Sequence, residues 1–166
     1  METTTSKTAV EVLISLYDWH TKLFHNVLVD ITDVDAHNRM GTKANHVAWL
    51  AGSLVHGRYE LAKATGMDIE QPTGALFQNY QGIQDNITYP SIAAYKQDWD
   101  NISSILKDKV ENLNDEALNG PDPFEMPGGD YTLYDSLIFC TDRESYCIGQ
   151  IALYRRLLDY PAMKYD

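Results

Sequence analysis

The stretch Thr132–Pro161, TLYDSLIFCTDRESYCIGQIALYRRLLDYP, decides the fold class. Leu133, Leu137, Cys140, Cys147, Ile151, Leu157 and Leu158 recur at three- and four-residue steps or their multiples, the spacing that gathers apolar side chains along one side of an α-helix. Thr132 and Asp135 form a capping box at its start, each side chain accepting a backbone N–H that the first turn leaves unbonded. Pro161 has no N–H to continue the ladder, so the helix ends before it.

Working outward, three more helices precede this one. Val10, Leu13, Ile14, Tyr17, Phe24, Val27, Leu28 and Ile31 mark a first helix, with Thr8 and Glu11 as its capping box. A second is expected after Gly41, capped by Thr42, running through Val47, Leu50, Leu54 and Leu61 to a stop at Gly66. Residues 66–90, with Pro72, Gly74, Gly82 and Pro90, keep no period and make a long loop, either a lid carrying Phe77, Tyr80 and Tyr89 or a plain surface connection. Ser91 opens a third helix through Ile92, Tyr95, Trp99, Ile102, Leu106 and Leu113, and Asn119–Asp130, rich in glycine and proline, separates it from the last. The expected architecture is all-α: a four-helix bundle with a long loop between helices 2 and 3, in a single domain spanning residues 1–166.

Composition narrows the function classes. The 166 residues carry a formal net charge of −11, with 44% apolar and 22% charged residues, enough for a real core and against disorder. An acidic chain without a basic patch repels phosphate backbones and anionic bilayers, so neither nucleic acid nor membrane is an expected partner. No apolar run approaches the roughly 18 residues of a membrane span. Two cysteines make no disulfide framework and Met1–Lys7 lack the features of a secretory signal, so a soluble, cytoplasmic protein is expected. Within a regular helix Cys140 and Cys147 stand about 10 Å apart, beyond the roughly 7 Å a disulfide spans.

At 100° per residue His46, Trp49, Ser53, His56 and Glu60 fall within about 60° of one line on the second helix, beside its apolar stripe. Cys140, Arg143, Cys147, Gln150 and Tyr154 do the same on the last helix. Facing strips would line a polar cavity from His46, Trp49, Ser53, His56, Arg143, Cys147 and Gln150.

Two segments carry a resemblance. Asn45-His46-Val47-Ala48-Trp49-Leu50-Ala51-Gly52-Ser53-Leu54 is similar to the second-helix motif of DinB-like proteins, and Glu144-Ser145-Tyr146-Cys147-Ile148-Gly149-Gln150-Ile151-Ala152-Leu153 to their fourth-helix motif. Helix count, spacing and loop placement agree over nearly the whole chain. The resemblance implies a bundle with unusual connections, often a homodimer, and a divalent metal held by three histidines. Those ligand positions correspond to Ser53, Arg143 and Cys147 in this chain.

None of the three is an imidazole. An arginine stays protonated and offers no lone pair, so at most Cys147 remains as a good ligand where a catalytic zinc needs about three. No cofactor is therefore expected, with zinc or nickel kept as the alternative. Arg143 is expected to form an internal salt bridge to Glu60 or Asp142, or else to grip a small carboxylate or phosphate. Cys147 is the candidate catalytic thiol, served by His46, His56 or His20, although a buried apolar role fits a cysteine on a core-facing helix better. His20 is read as a packed core histidine and His25 and His37 as solvated.

Three functions follow. The preferred one is a metal-free bundle binding a small molecule or partner through a vestigial active-site cavity. The second is a metal-dependent thiol transferase or hydrolase with altered ligands, and the third a stress-related scaffold acting as a dimer.

Overall fold

The computed structural model describes residues Thr8–Asp166; Met1–Lys7, with the reading that they form no secretory signal, lie outside the described residues. The elements are helices α1 (Ala9–Val27), α2 (Asp33–Ala36), α3 (Val47–Ala64), α4 (Ile92–Glu111), α5 (Asp115–Leu118) and α6 (Leu133–Leu157), with two 3-10 turns between α3 and α4. The described fold is all-helical apart from a lone bridge pairing Pro121 with Thr132.

Local chemistry sets most of the boundaries. Both capping boxes form, Thr8 with Glu11 and Thr132 with Asp135, and the Ser91 hydroxyl accepts the Ala94 N–H. Gly66 ends α3 in the left-handed region at φ +87°, which glycine adopts without a Cβ clash. The start of α3 departs from expectation: its cap is His46, not Thr42, and the His46 ring Nδ1 accepts the Trp49 N–H at 3.0 Å. Thr42 instead closes a turn, its hydroxyl donating to the Arg39 carbonyl.

Cross-helix pairs fix the directions of the four long helices. Leu28 meets Lys96, His25 meets Asp100 and Asp18 meets Lys107, so α1 and α4 run antiparallel. Gly52 lies against Tyr95 and Arg58 against Ser103, so α3 and α4 run parallel. His20 meets Glu144 and Val27 meets Arg155, so α1 and α6 also run parallel. The helices pack in the cyclic order α1, α4, α3, α6 and back to α1.

This order explains the long loop. Two parallel neighbours cannot be joined by a tight turn, because the chain must travel back along the whole of α3, about 27 Å, before starting α4. Residues 65–91 make that return pressed against the long helices. Gln71 reaches His56, Phe77 packs on Gly52 and Trp49, and Tyr89 reaches His46. Of the three aromatics read as a lid, Phe77 and Tyr89 are buried and Tyr80 is exposed.

The core runs the length of the molecule, with Phe24, Leu50, Leu54, Tyr95, Trp99, Ile102, Leu106 and Ile151 fully buried. Gly52 permits the tightest approach. A Cβ there would stand 2.4 Å from both the Phe77 ring and the Tyr95 hydroxyl, too close for any side chain.

Candidate functional site

α3 and α6 present Ser53 and Arg143 to one another. The Arg143 guanidinium, half-buried, donates to the Ser53 hydroxyl at 2.5 Å and to the Ser53 carbonyl at 3.3 Å. Gly57, one turn on, borders the guanidinium, and a Cβ there would make an ordinary contact with an Arg143 amino nitrogen at 3.5 Å. The expected salt bridge does not form: among the described residues Arg143 has no carboxylate within 4 Å. Glu60 pairs instead with Lys63 at 2.5 Å, and Asp142 points away, lining a groove between α6 and α1. The reason is angular, because Asp142 is the next residue along α6 and so projects about 100° from Arg143.

Cys147 is buried one turn beyond Arg143. Burial raises its thiol pKa above the ordinary cysteine value, Arg143 opposing and Glu144 adding to the rise. Cys140, raised chiefly by burial to about 12, is the more extreme case. Both are thiols at neutral pH, which suits packing rather than attack.

The expected polar strip of α3 divides between two neighbours. Ser53 faces Arg143, whereas Trp49 and His56 lie under residues 65–91, His56 bonded to Gln71 at 3.0 Å and stacked on Phe77. Burial lowers the His56 pKa against the Glu60 charge and the Gln71 hydrogen bond, which raise it, with smaller lowering contributions from Lys63 and Arg143. His46 is remote, capping α3 among His37 and Tyr89, with burial holding its pKa down at about 4. Gln150 is half-buried on α6. His25 and His37 are not simply solvated: His25 meets Asp100 at 2.6 Å, and His37 spans the carbonyls of Asp33 and Tyr89.

A second arginine, missed in the sequence, organises the core. Arg58 of α3 binds Glu144 of α6 through Nε at 2.6 Å and a terminal nitrogen at 2.9 Å, and donates to Thr21 and Ser103 hydroxyls. Its guanidinium lies between the Tyr17 and Trp99 rings, 3.7 and 3.5 Å from their centroids. His20 of α1 approaches the same carboxylate at 3.3 Å. Burial alone would raise the Glu144 pKa, but the Arg58 charge, the hydrogen bonds from Arg58 and the nearby His20 bring it below the ordinary carboxylate value. The one sequence signal was a charged pair, Arg58 and Glu144, each inside an apolar helical stripe.

The metal expected from the resemblance finds no fit here. Ser53 is occupied by a cation, Arg143 is that cation, and Cys147 is a protonated thiol. Among the described residues no group of three His, Cys, Asp or Glu side chains converges as a metal site requires.

Comparison with known proteins returned no matching family model and no matching curated sequence. The fold has solved counterparts. One is the crystal structure of a conserved protein from Enterococcus faecalis, similar at a TM-score of 0.67 and 12% identity over 92% of this chain and 98% of that one. At that identity the likeness concerns the fold alone. No helix among the described residues is long and apolar enough to cross a membrane.

Proposed function

We propose that this chain is a DinB-like four-helix bundle in which a small-anion binding site, built on Arg143, stands where relatives of that type hold a metal. The closed ring of four long helices, with parallel α3 and α4 joined by residues 65–91, supports the architecture. One observation carries the function: a half-buried guanidinium bonded, among the described residues, only to the two oxygens of Ser53. A guanidinium has five N–H donors, and its planar fork matches a carboxylate or phosphate. Ser53 supplies the polar neighbour of that fork, while the His56 ring is turned to Gln71 and Phe77 under residues 65–91.

Such a site binds and does not by itself transform its ligand. The competing reading, a metal-dependent thiol transferase or hydrolase, draws no support from a donor set of hydroxyl, guanidinium and protonated thiol.

Calorimetric titration with inorganic phosphate and with succinate tests the proposal. Saturable binding of either, lost in Arg143→Gln and weakened in Arg143→Lys, is the expected result. Binding that survives Arg143→Gln, or no binding of either anion, overturns it. So does stoichiometric zinc or nickel uptake that disappears in Cys147→Ser.

A further inference from the structure

One interior histidine faces a groove instead of a partner. His20 of α1 is 6% exposed, and its Nδ1 stands 3.3 Å from Glu144 Oε2, out of line for a hydrogen bond. The Glu144 carboxylate, gripped by Arg58, can only accept, so a neutral His20 ring carries its proton on Nδ1 and its lone pair on Nε2. Because Nδ1 is sealed from solvent and turned to the carboxylate, the ring borders the groove between α1 and α6 with its other nitrogen. Nε2 has no hydrogen-bond partner among the described residues. An acceptor set that far into the protein is satisfied by a donor carried into the groove.

The groove has two unlike ends. α1 and α6 run parallel with His20 level with Glu144, which sets Ala9 near Tyr134 at the far end. Towards Ala9 the walls are Val12, Leu13, Leu16 and Ile138. Val12, Leu16 and Ile138 are between 43% and 49% exposed, so this end holds apolar surface in water. Towards His20 the walls are Thr141, Asp142 and Ser145. The space is about 390 Å³, the size of pockets that take small molecules. A ligand that suits both ends has an aliphatic body and a polar head.

Charge fixes the head. No lysine or arginine lines the groove, and the Thr141 hydroxyl donates to the Leu137 carbonyl. Asp142 is exposed and has no ion-pair partner among the described residues. The polar end therefore offers a carboxylate, the Nε2 lone pair and the Ser145 hydroxyl, a set of acceptors around one negative charge. A carboxylate or phosphate head meets repulsion there. An ammonium brings three N–H donors and one positive charge, the complement of that set. The chain's net charge of −11 attracts the same sign of ligand from a distance.

We propose that the groove between α1 and α6 binds an aliphatic primary amine, its chain laid along Val12, Leu16 and Ile138 and its ammonium head held by His20 Nε2 and Asp142. Glu144 is a positioning residue in this site: it acts through His20, keeping the proton on Nδ1 and the lone pair turned to the groove. The site lies on a different side of α6 from Arg143, takes a ligand of the opposite charge and does not depend on anion binding there.

Calorimetric titration of the full chain with octylamine, butylamine and octanoate tests this, with circular dichroism melts as the folding control. Octylamine is expected to bind saturably and at least about tenfold more tightly than butylamine, because the longer chain buries more methylenes, and octanoate is expected not to bind. His20→Phe keeps a ring but removes the acceptor, and should weaken octylamine about tenfold. Leu16→Lys, a change at an exposed position that sets a like charge in the groove, should abolish binding, and Arg143→Gln should leave it unchanged. Nitrogen NMR shifts of the neutral His20 ring should place its proton on Nδ1. No saturable octylamine binding, octanoate binding as tight as that of octylamine, or a ring proton on Nε2 overturns the proposal. So does an affinity indifferent to His20→Phe or to Leu16→Lys, or one lost in Arg143→Gln, which would move the amine to the other site.

Discussion

Arg58 and Arg143 are two guanidiniums in one all-helical fold, and their surroundings teach opposite lessons. Arg58 is sealed: a bidentate carboxylate, two hydroxyls and two aromatic faces leave nothing for a ligand to offer. Arg143 holds one serine and keeps donors to spare. A buried charge that is completely partnered belongs to the architecture, because removing either member strands the other in a dry interior. A half-buried charge with spare donors can be satisfied from outside.

The largest effect should come from breaking the sealed centre. Arg58→Ala strands the Glu144 carboxylate and is expected to cost about 3–5 kcal/mol in urea unfolding. Replacing both members, as Arg58→Met with Glu144→Leu, should cost distinctly less, since no charge is left uncompensated. If the double replacement were as damaging as the single, the ion pair would not be the reason for the cost.

Next in size is Gly52→Ala, on the helix that carries both Ser53 and Arg58. Its Cβ would overlap the Phe77 ring and the Tyr95 hydroxyl, so a loss of about 1–3 kcal/mol is expected from the same unfolding measurement. A neutral outcome would mean that residues 65–91 yield readily and do not hold α3 in place.

Acid offers a smaller perturbation. His46 has a folded pKa of about 4 against 6.5 for the free side chain, so the unfolded chain takes up this proton first as pH falls. The stabilisation is complete above about pH 6.5 and drains away as pH falls towards 4, because a protonated Nδ1 cannot accept the Trp49 N–H. His46→Asn, which keeps a capping acceptor but does not titrate, should flatten the urea midpoint over that window. An unchanged slope would assign the acid sensitivity elsewhere.

The smallest stability change belongs to Arg143→Gln, expected within about 1 kcal/mol of the parent because it removes hydrogen bonds to one serine and strands no opposite charge. Its effect should appear in anion titration alone. A loss as large as that of Arg58→Ala would make the two arginines equivalent and erase the contrast.

The helices were legible in the sequence wherever a cap has a recognisable chemistry: Thr8 with Glu11, Ser91, Thr132 with Asp135, and Gly66. The start of α3 was not, because an imidazole is an uncommon cap and Thr42 is a common one. The site was half legible. Angular position on a helix says which residues share a side, but not which neighbour covers it, so Ser53 and His56 were grouped although one faces α6 and the other residues 65–91. Arg58 and Glu144 were missed as a pair because their partnership spans 86 positions and leaves no local pattern.

The parallel packing of α1 and α6 bears on how the molecule is made. Of the four long helices, α1 leaves the ribosome before the others and α6 after them, and these two are neighbours, so the ring stays open until α6 emerges. Until α6 emerges, Arg58 has no counter-ion and cannot settle between Tyr17 and Trp99 without stranding its charge. A nascent chain should therefore remain loosely assembled until Glu144 arrives, and fold cooperatively once it does.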